Sequence, residues 1–239
     1  MKILCVSDFV DPLIYNQEAK KTFSDIDLVL CAGDLPLEYV DFIVTVLNKP
    51  TYFIFGNHNL KDYEFYHKNA QDIPGTMPSQ KENSLFGHGG TYLGFKTFEE
   101  RSLTVTDSRT GKKRPLLLAG ASGSLRYNKG LSQYTEFEMK MKLILMIPKL
   151  IKNKIKYGTY LDIFLTHASP RHIHDKEDIC HRGFECYNWF IKKFKPKYLI
   201  HGHIHLYDMR EKRITEIQGT TVINAYAHHI IETEGNNEF

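Results

Sequence analysis

Tyr198-Leu199-Ile200-His201-Gly202-His203-Ile204-His205 is a short apolar run that ends in three histidines spaced around a glycine. The apolar part reads as a buried strand, and the histidines fall at its carboxyl end. Imidazole is the commonest protein metal ligand, and glycine lets the backbone turn tightly enough for neighbouring rings to converge. The same arrangement recurs upstream. Residues 2–7 form an apolar run ending at Asp8, and residues 27–32 a second ending at Gly33-Asp34. Residues 51–55 lead to Gly56-Asn57-His58, and residues 160–166 to His167. Carboxylates, an amide and imidazoles gathered at strand ends describe a polynuclear metal site with hard and borderline ligands.

Between these strands, residues 37–48 carry Leu37, Val40, Ile43, Val44 and Leu47 at helical spacing. Strands alternating with helices imply an α/β fold with a parallel core and functional residues at the carboxyl ends of strands. Residues 60–90 are rich in loop formers, and a strand is expected over 91–95. Strands over 102–106 and 115–119 flank a hairpin turn, Asp107 to Gly111. A small-residue loop, 120–124, then leads to Arg126-Tyr127-Asn128. Thr135 and Glu138 read as a capping box that opens a long helix. Met139, Leu143, Met146, Ile147 and Leu150 form its apolar face, with Met139, Met141 and Met146 read as packing and Pro148 as a kink. Lys140, Lys142, Lys149, Lys152, Lys154 and Lys156 read as a solvated face. A helix over 183–194 follows. Strands over 212–217 and 220–225 close the chain as an antiparallel pair around Gly219.

The chain has 239 residues, 42% of them hydrophobic. That suffices for one sizeable core and is modest for two domains, so a single domain over 1–239 is expected, with a frayed tail from about 233. The net charge of +3 is too mild to mark a nucleic-acid binder. No apolar run approaches the ~20 residues of a membrane span, and the N-terminus has no signal-peptide pattern. Cys5 and Cys31 lie in expected buried strands, and Cys180 and Cys186 do not have zinc-knuckle spacing. Reduced thiols and a cytoplasmic protein are expected.

Taken in order, Ser7-Asp8-Phe9-Val10, Gly33-Asp34, Gly56-Asn57-His58-Asn59, Thr166-His167 and Gly202-His203-Ile204-His205 resemble the calcineurin-like metallophosphoesterase family from residue 3 to about 206. Each segment is weak singly, but five in the right order are specific. The resemblance implies two packed mixed β-sheets flanked by helices, a four-layer α/β/β/α sandwich. It also implies a metal-dependent phosphoesterase that hydrolyses a phosphate mono- or diester through metal-activated hydroxide. Asp34 would bridge two ions, Asp8 and His205 would hold one, and Asn57, His167 and His203 the other. His58 would serve as general acid or transition-state stabiliser. Manganese, iron or zinc suits such a ligand set, and magnesium suits it poorly.

The sequence departs from the family pattern at three places. Val10 stands where the family carries a histidine ligand, which weakens the Asp8 site unless Asp11 substitutes. Asn59 replaces an acid. Leu37 replaces an acid that orients the catalytic histidine, a role left to Glu38 or Asp62. The segments 7–12, 123–128 and 181–184 are similar to a prokaryotic subgroup with Asp-x-Val-Asp in place of Asp-x-His. Arg126, Tyr127, Asn128 and Arg182 are candidate substrate contacts, while the loop from Arg171 to Asp175 reads as solvated surface. A small phosphate ester is the expected substrate. Two other readings stay open: a binding or regulatory module with one metal and little turnover, and a nuclease or RNA-processing phosphodiesterase.

Overall fold

The computed structural model describes residues 1–61, 63–67, 89–107, 111–208 and 210–233. Two large sheets dominate. The first has the order β13-β1-β2-β3-β4, with β1 (Lys2–Ser7), β2 (Leu28–Cys31), β3 (Thr51–Phe53), β4 (Thr91–Tyr92) and β13 (Ala227–Glu232). β1 to β4 run parallel, and β13 pairs antiparallel with β1. The second has the order β11-β12-β10-β9-β6-β5. Its strands are β5 (Thr97–Thr106), β6 (Lys113–Ala121), β9 (Ile163–Thr166), β10 (Tyr198–His201), β11 (Ile214–Ile217) and β12 (Thr220–Asn224). Its four central strands are parallel, with antiparallel partners at both edges. A two-stranded ribbon, β7 (Ser124–Leu125) and β8 (Gln133–Tyr134), stands apart.

Side chains of a strand alternate between faces, so a strand that is apolar throughout must be covered on both sides. Ile3 and Cys5 of β1 and Leu28 and Leu30 of β2 meet Leu116, Leu118, Ile163, Leu165 and Ile200 of the second sheet in the layer between the sheets. Leu4, Val6, Val29 and Cys31 point the other way, onto α1 (Ala19–Thr22) and α2 (Leu37–Leu47). On the far side, Leu117, Phe164, Leu199 and Val222 pack against α4 (Glu136–Tyr157) and α5 (Glu185–Phe194). The result is the expected four-layer α/β/β/α sandwich.

α4 opens with the expected capping box. Thr135 Oγ1 accepts from the Glu138 N–H, and Glu138 Oε2 accepts from the Thr135 N–H at 2.7 Å. The helix is continuous through Pro148 and stops at Gly158, whose φ of 79° is easy only for glycine. Met139, Leu143, Met146 and Leu150 are buried beneath it, but Met141 is exposed and does not pack as expected.

Several elements differ from expectation, and α1, β7 and β8 were not foreseen at all. β13 lies beyond the expected closing pair, and only Ile231 of its six residues is buried among the apolar ones, so no period-two signal survives. β5 begins five residues early because Glu99, Glu100 and Arg101 on this sheet edge hide it. A short α3 (Tyr63–His67) interrupts the expected loop. Asp62 and residues 68–88 of that loop lie outside the described residues, as do most of the Asp107–Gly111 turn and the tail from 234. Among the described residues no helix is long and apolar enough to cross a membrane. The cysteines are free, with Cys5, Cys31 and Cys186 buried.

Candidate metal centre

The carboxyl ends of β1, β2 and β3 face those of β9 and β10, and the candidate ligands lie on the turns that follow. Asp8, Asp34 and His203 all have left-handed backbones, with φ of 63°, 55° and 67°. Non-glycine residues take this conformation rarely, and it bends the chain sharply off the strand. Space is tight. A Cβ on Gly56 would lie 2.6 Å from His167 Cε1 and overlap the Asp34 carboxylate, and one on Gly202 would lie 2.5 Å from Asp8 Oδ2.

The ligand atoms of Asp34, His167 and His203 all lie within 4.8 Å of one another, and all three residues are buried. His167 Nδ1 is 2.8 Å from the Ala32 carbonyl, which can only accept, so Nδ1 carries a proton. Nε2 then faces Asn57 Oδ1 at 3.1 Å and Asp34 Oδ2 at 3.3 Å. Asn57 turns its oxygen this way because its Nδ2 donates to the Tyr127 hydroxyl at 3.0 Å. His203 Nε2 donates to the Cys180 carbonyl at 2.7 Å, which leaves Nδ1 as its lone-pair nitrogen. Lone pairs from a carboxylate, an amide and two imidazoles thus converge, and only a proton or a cation can reconcile them. Carbonyl partners that fix the far nitrogen of each ring are the usual support of a histidine ligand. The residues fit a metal ion.

The electrostatics agree. Burial works against the charge on Asp34, but His167 and the His58 N–H hold its carboxyl well below the usual carboxylate range. Burial also works against a charged His167, yet Asp34 outweighs it and raises the imidazole to about 9. Burial and the charge on His167 push His203 down to about 3. The Asp34–His167 pair therefore holds one proton where a cation would sit.

Asp8 and His205 lie together on the neighbouring turns. Asp8 is pushed upward by burial, and its carboxylate accepts the His203 N–H. His205 Nε2 lies 3.8 Å from Asp8 Oδ1, its Nδ1 is 2.6 Å from the Tyr207 hydroxyl, and its ring stacks on Tyr226. Val10 packs into the apolar layer with α1 and α2 and offers nothing here. Asp11, the possible substitute ligand, has both oxygens engaged elsewhere. One of its oxygens accepts from the Leu13 N–H at 2.9 Å and the other meets His228 Nδ1 at 2.5 Å. It caps a turn and ties that turn to β13.

His58 has an exposed side chain, while its backbone N–H donates to Asp34 Oδ1 at 2.7 Å. Glu38, a candidate to orient it, pairs with Lys61 at 3.2 Å instead. The other rim candidates divide. Arg126 pairs with Glu138 at 2.8 Å, and Asn128 binds Gly130 and Gln133, so both help to hold the loop together. Tyr127 reaches the centre, but as the partner of Asn57. Arg182 is exposed. His201 is not a ligand. It is fully buried, its Nδ1 donates to the Gly202 carbonyl, and its Nε2 meets His174 Nδ1 at 2.9 Å. The sequence carried no signal for this His174–His201 pair, which braces the turn that carries His203.

The sequence matches the calcineurin-like phosphoesterase family over residues 1–207. This chain belongs to that family. No curated protein matches it. One solved crystal structure aligns with 96% of this calcineurin-like chain and 94% of its own at 14% identity, with a TM-score of 0.59. The crystal structure of TT1561 of Thermus thermophilus aligns with 94% of this chain and 88% of its own, also at 14% identity, with a TM-score of 0.52. At such identity the likeness is one of fold. A structure described as a novel archaeal phosphodiesterase gives 15% identity and a TM-score of 0.45 over 98% of this chain and 94% of its own.

Proposed function

We propose that the chain is a metal-dependent phosphoric ester hydrolase acting on a small phosphate mono- or diester. The observation that carries this reading is the convergence of Asp34, Asn57, His167 and His203, with Asn57 and both rings held in one orientation by Tyr127, Ala32 and Cys180. These four would hold one divalent ion. Asp8 and His205 would hold a second, weaker one, with Asp34 reaching both. Manganese, iron or zinc fits this mixture of oxygen and imidazole donors. When bound, such ions supply Lewis acidity toward a phosphoryl oxygen and acidify water.

The chain's own residues supply position and protons. Asp34 is fixed by the His58 N–H, and its backbone carbonyl accepts from Asn59 Nδ2 at 2.9 Å. The His58 backbone is thus tied to Asp34, and its exposed ring would protonate or polarise the departing oxygen. The fold sets no barrier to a cytoplasmic setting, and the buried free thiols suit a reducing one.

The test is metal analysis of the purified protein together with hydrolysis of one chromogenic monoester and one diester. Turnover supports the proposal. Metal binding with no turnover on either favours a binding module with one metal, a reading that the sparse Asp8–His205 half supports. His58→Ala keeps the backbone N–H that holds Asp34, so metal content should persist while turnover falls about 10²- to 10⁴-fold. Parallel loss of metal would remove His58 from this role.

A further inference from the structure

The outward face of α4 is as apolar as the inward one. Met139, Leu143, Met146 and Leu150 are covered by the second sheet and α5. On the opposite side Phe137, Leu145 and Ile155 are 72%, 76% and 82% exposed, with Met141 and Ile151 also exposed. A surface helix normally carries one apolar stripe, and two stripes imply two partners.

The outer stripe has the pattern of a coiled-coil seam. Phe137, Met141, Ile144, Pro148, Ile151 and Ile155 follow one another at steps of 4, 3, 4, 3 and 4 residues. That is the alternation of a and d positions in a heptad, and it runs along ~27 Å of helix. The seam also reads the same in both directions. Turned end for end about residue 146, Phe137 falls on Ile155, Met141 on Ile151 and Ile144 on Pro148. A two-fold contact between identical chains requires such self-complementarity, and an antiparallel pair sets a against d.

Charge fits the same register. Along one edge of the seam lie Glu138, Leu145 and Lys152. Reversal sets Glu138, which also pairs with Arg126 of its own chain at 2.8 Å, near the partner's Lys152, and Leu145 near its own copy. The other edge holds Lys140 and Lys154, whose charges are drawn onto their own chain. Lys140 Nζ lies 5.8 Å from the Trp189 ring centre, and Lys154 Nζ donates to the Gly158 carbonyl and lies 5.3 Å from the Tyr160 ring centre. We propose that two copies of this chain form a two-fold dimer through antiparallel pairing of their α4 helices. The proposal stands apart from any reading of the metal centre.

Analytical ultracentrifugation of the full chain at micromolar concentration should give twice the chain mass of 27.8 kDa. Leu145→Glu, and separately Ile155→Glu, should give the single-chain mass with unchanged far-UV circular dichroism. Two variants are used so that misfolding of one leaves the other to decide. In a Cys180→Ser background, Leu145→Cys should crosslink readily between copies under mild oxidation. Ile155→Cys should not, since antiparallel pairing holds its copies ~27 Å apart. A monomer at all concentrations overturns the proposal. So does a dimer untouched by both charged variants, or crosslinking through Ile155→Cys. Co-sedimentation of a monomer with anionic vesicles would overturn it too, by showing that a lipid surface covers the stripe.

Discussion

The carboxylate of Asp8 accepts the backbone N–H of His203 with both oxygens, at 3.1 and 2.9 Å, across 195 positions of sequence. The bond joins the turn after β1 in one sheet to the turn after β10 in the other, and so registers the two halves of the centre. It also separates charge from structure. Asp8→Asn keeps an acceptor for the N–H but lowers the ligand charge, so it should fold with near-normal stability and lose metal. Asp8→Ala strands a buried donor, which costs about 1–3 kcal/mol. Urea denaturation of metal-free protein measures the difference. Equal stability of the two variants would show that the bond does not register the sheets.

Tyr127 touches no other candidate ligand in the hydrogen-bond network, yet it decides which way Asn57 faces. Tyr127→Phe leaves the Asn57 amide free to turn its nitrogen toward His167. Loss of such a supporting bond typically weakens metal binding about 10- to 100-fold. Isothermal titration with zinc or manganese should find a loss of that size in Tyr127→Phe with an unchanged melting temperature. An unchanged affinity would mean that Asn57 is not a ligand.

The proton held by the Asp34–His167 pair gives metal binding a definite pH dependence. His167 titrates near 9 because Asp34 stabilises its charged form against the opposing effect of burial. A metal at Nε2 must displace that proton. Below about pH 9 binding should therefore release close to one proton, and apparent affinity should rise about tenfold per pH unit until the imidazole is neutral. For the metal-free protein the sign is opposite. A raised histidine pKa contributes stability in full below the unfolded value of about 6.5 and loses it as pH rises through 9. Calorimetry in buffers of different ionisation enthalpy counts the proton. Binding without proton release would place the metal away from His167.

What could be read from the sequence follows from burial. Strands covered on both faces must be continuously apolar, so β1, β2, β9 and β10 stood out, and their carboxyl ends located Asp8, Asp34, His167 and His203. α4 was legible because Thr135 and Glu138 are close in sequence. What failed depends on distant or half-exposed neighbours. β13 shows water most of its residues, and its place is set by pairing with β1 at the opposite end of the chain. Three histidines in 201–205 look alike as letters, but only the fold turns His201 inward to His174 and leaves His203 and His205 to the centre.

Asp11 and Val10 bring that distinction to a test. As a sequence, Asp11 stands where it could replace the ligand missing at Val10. In the fold its two oxygens serve the Leu13 N–H and His228. Asp11→Asn should therefore leave metal content unchanged and lower stability by about 1–2 kcal/mol, through weaker contacts to the turn and to β13. Val10→His should not rescue the Asp8 site. The valine side chain packs into the apolar layer beneath α1 and α2, and an imidazole there is desolvated without a partner, at a cost of about 1–3 kcal/mol. Metal stoichiometry and denaturation midpoints on both variants decide between ligand and brace. If Asp11→Asn loses one metal per chain with its stability intact, the carboxylate is a ligand and the turn rearranges on loading. If Val10→His gains a tightly held second ion, the loop is free enough to bring residue 10 to the centre, and the weak half of the site is weak only for want of that ring.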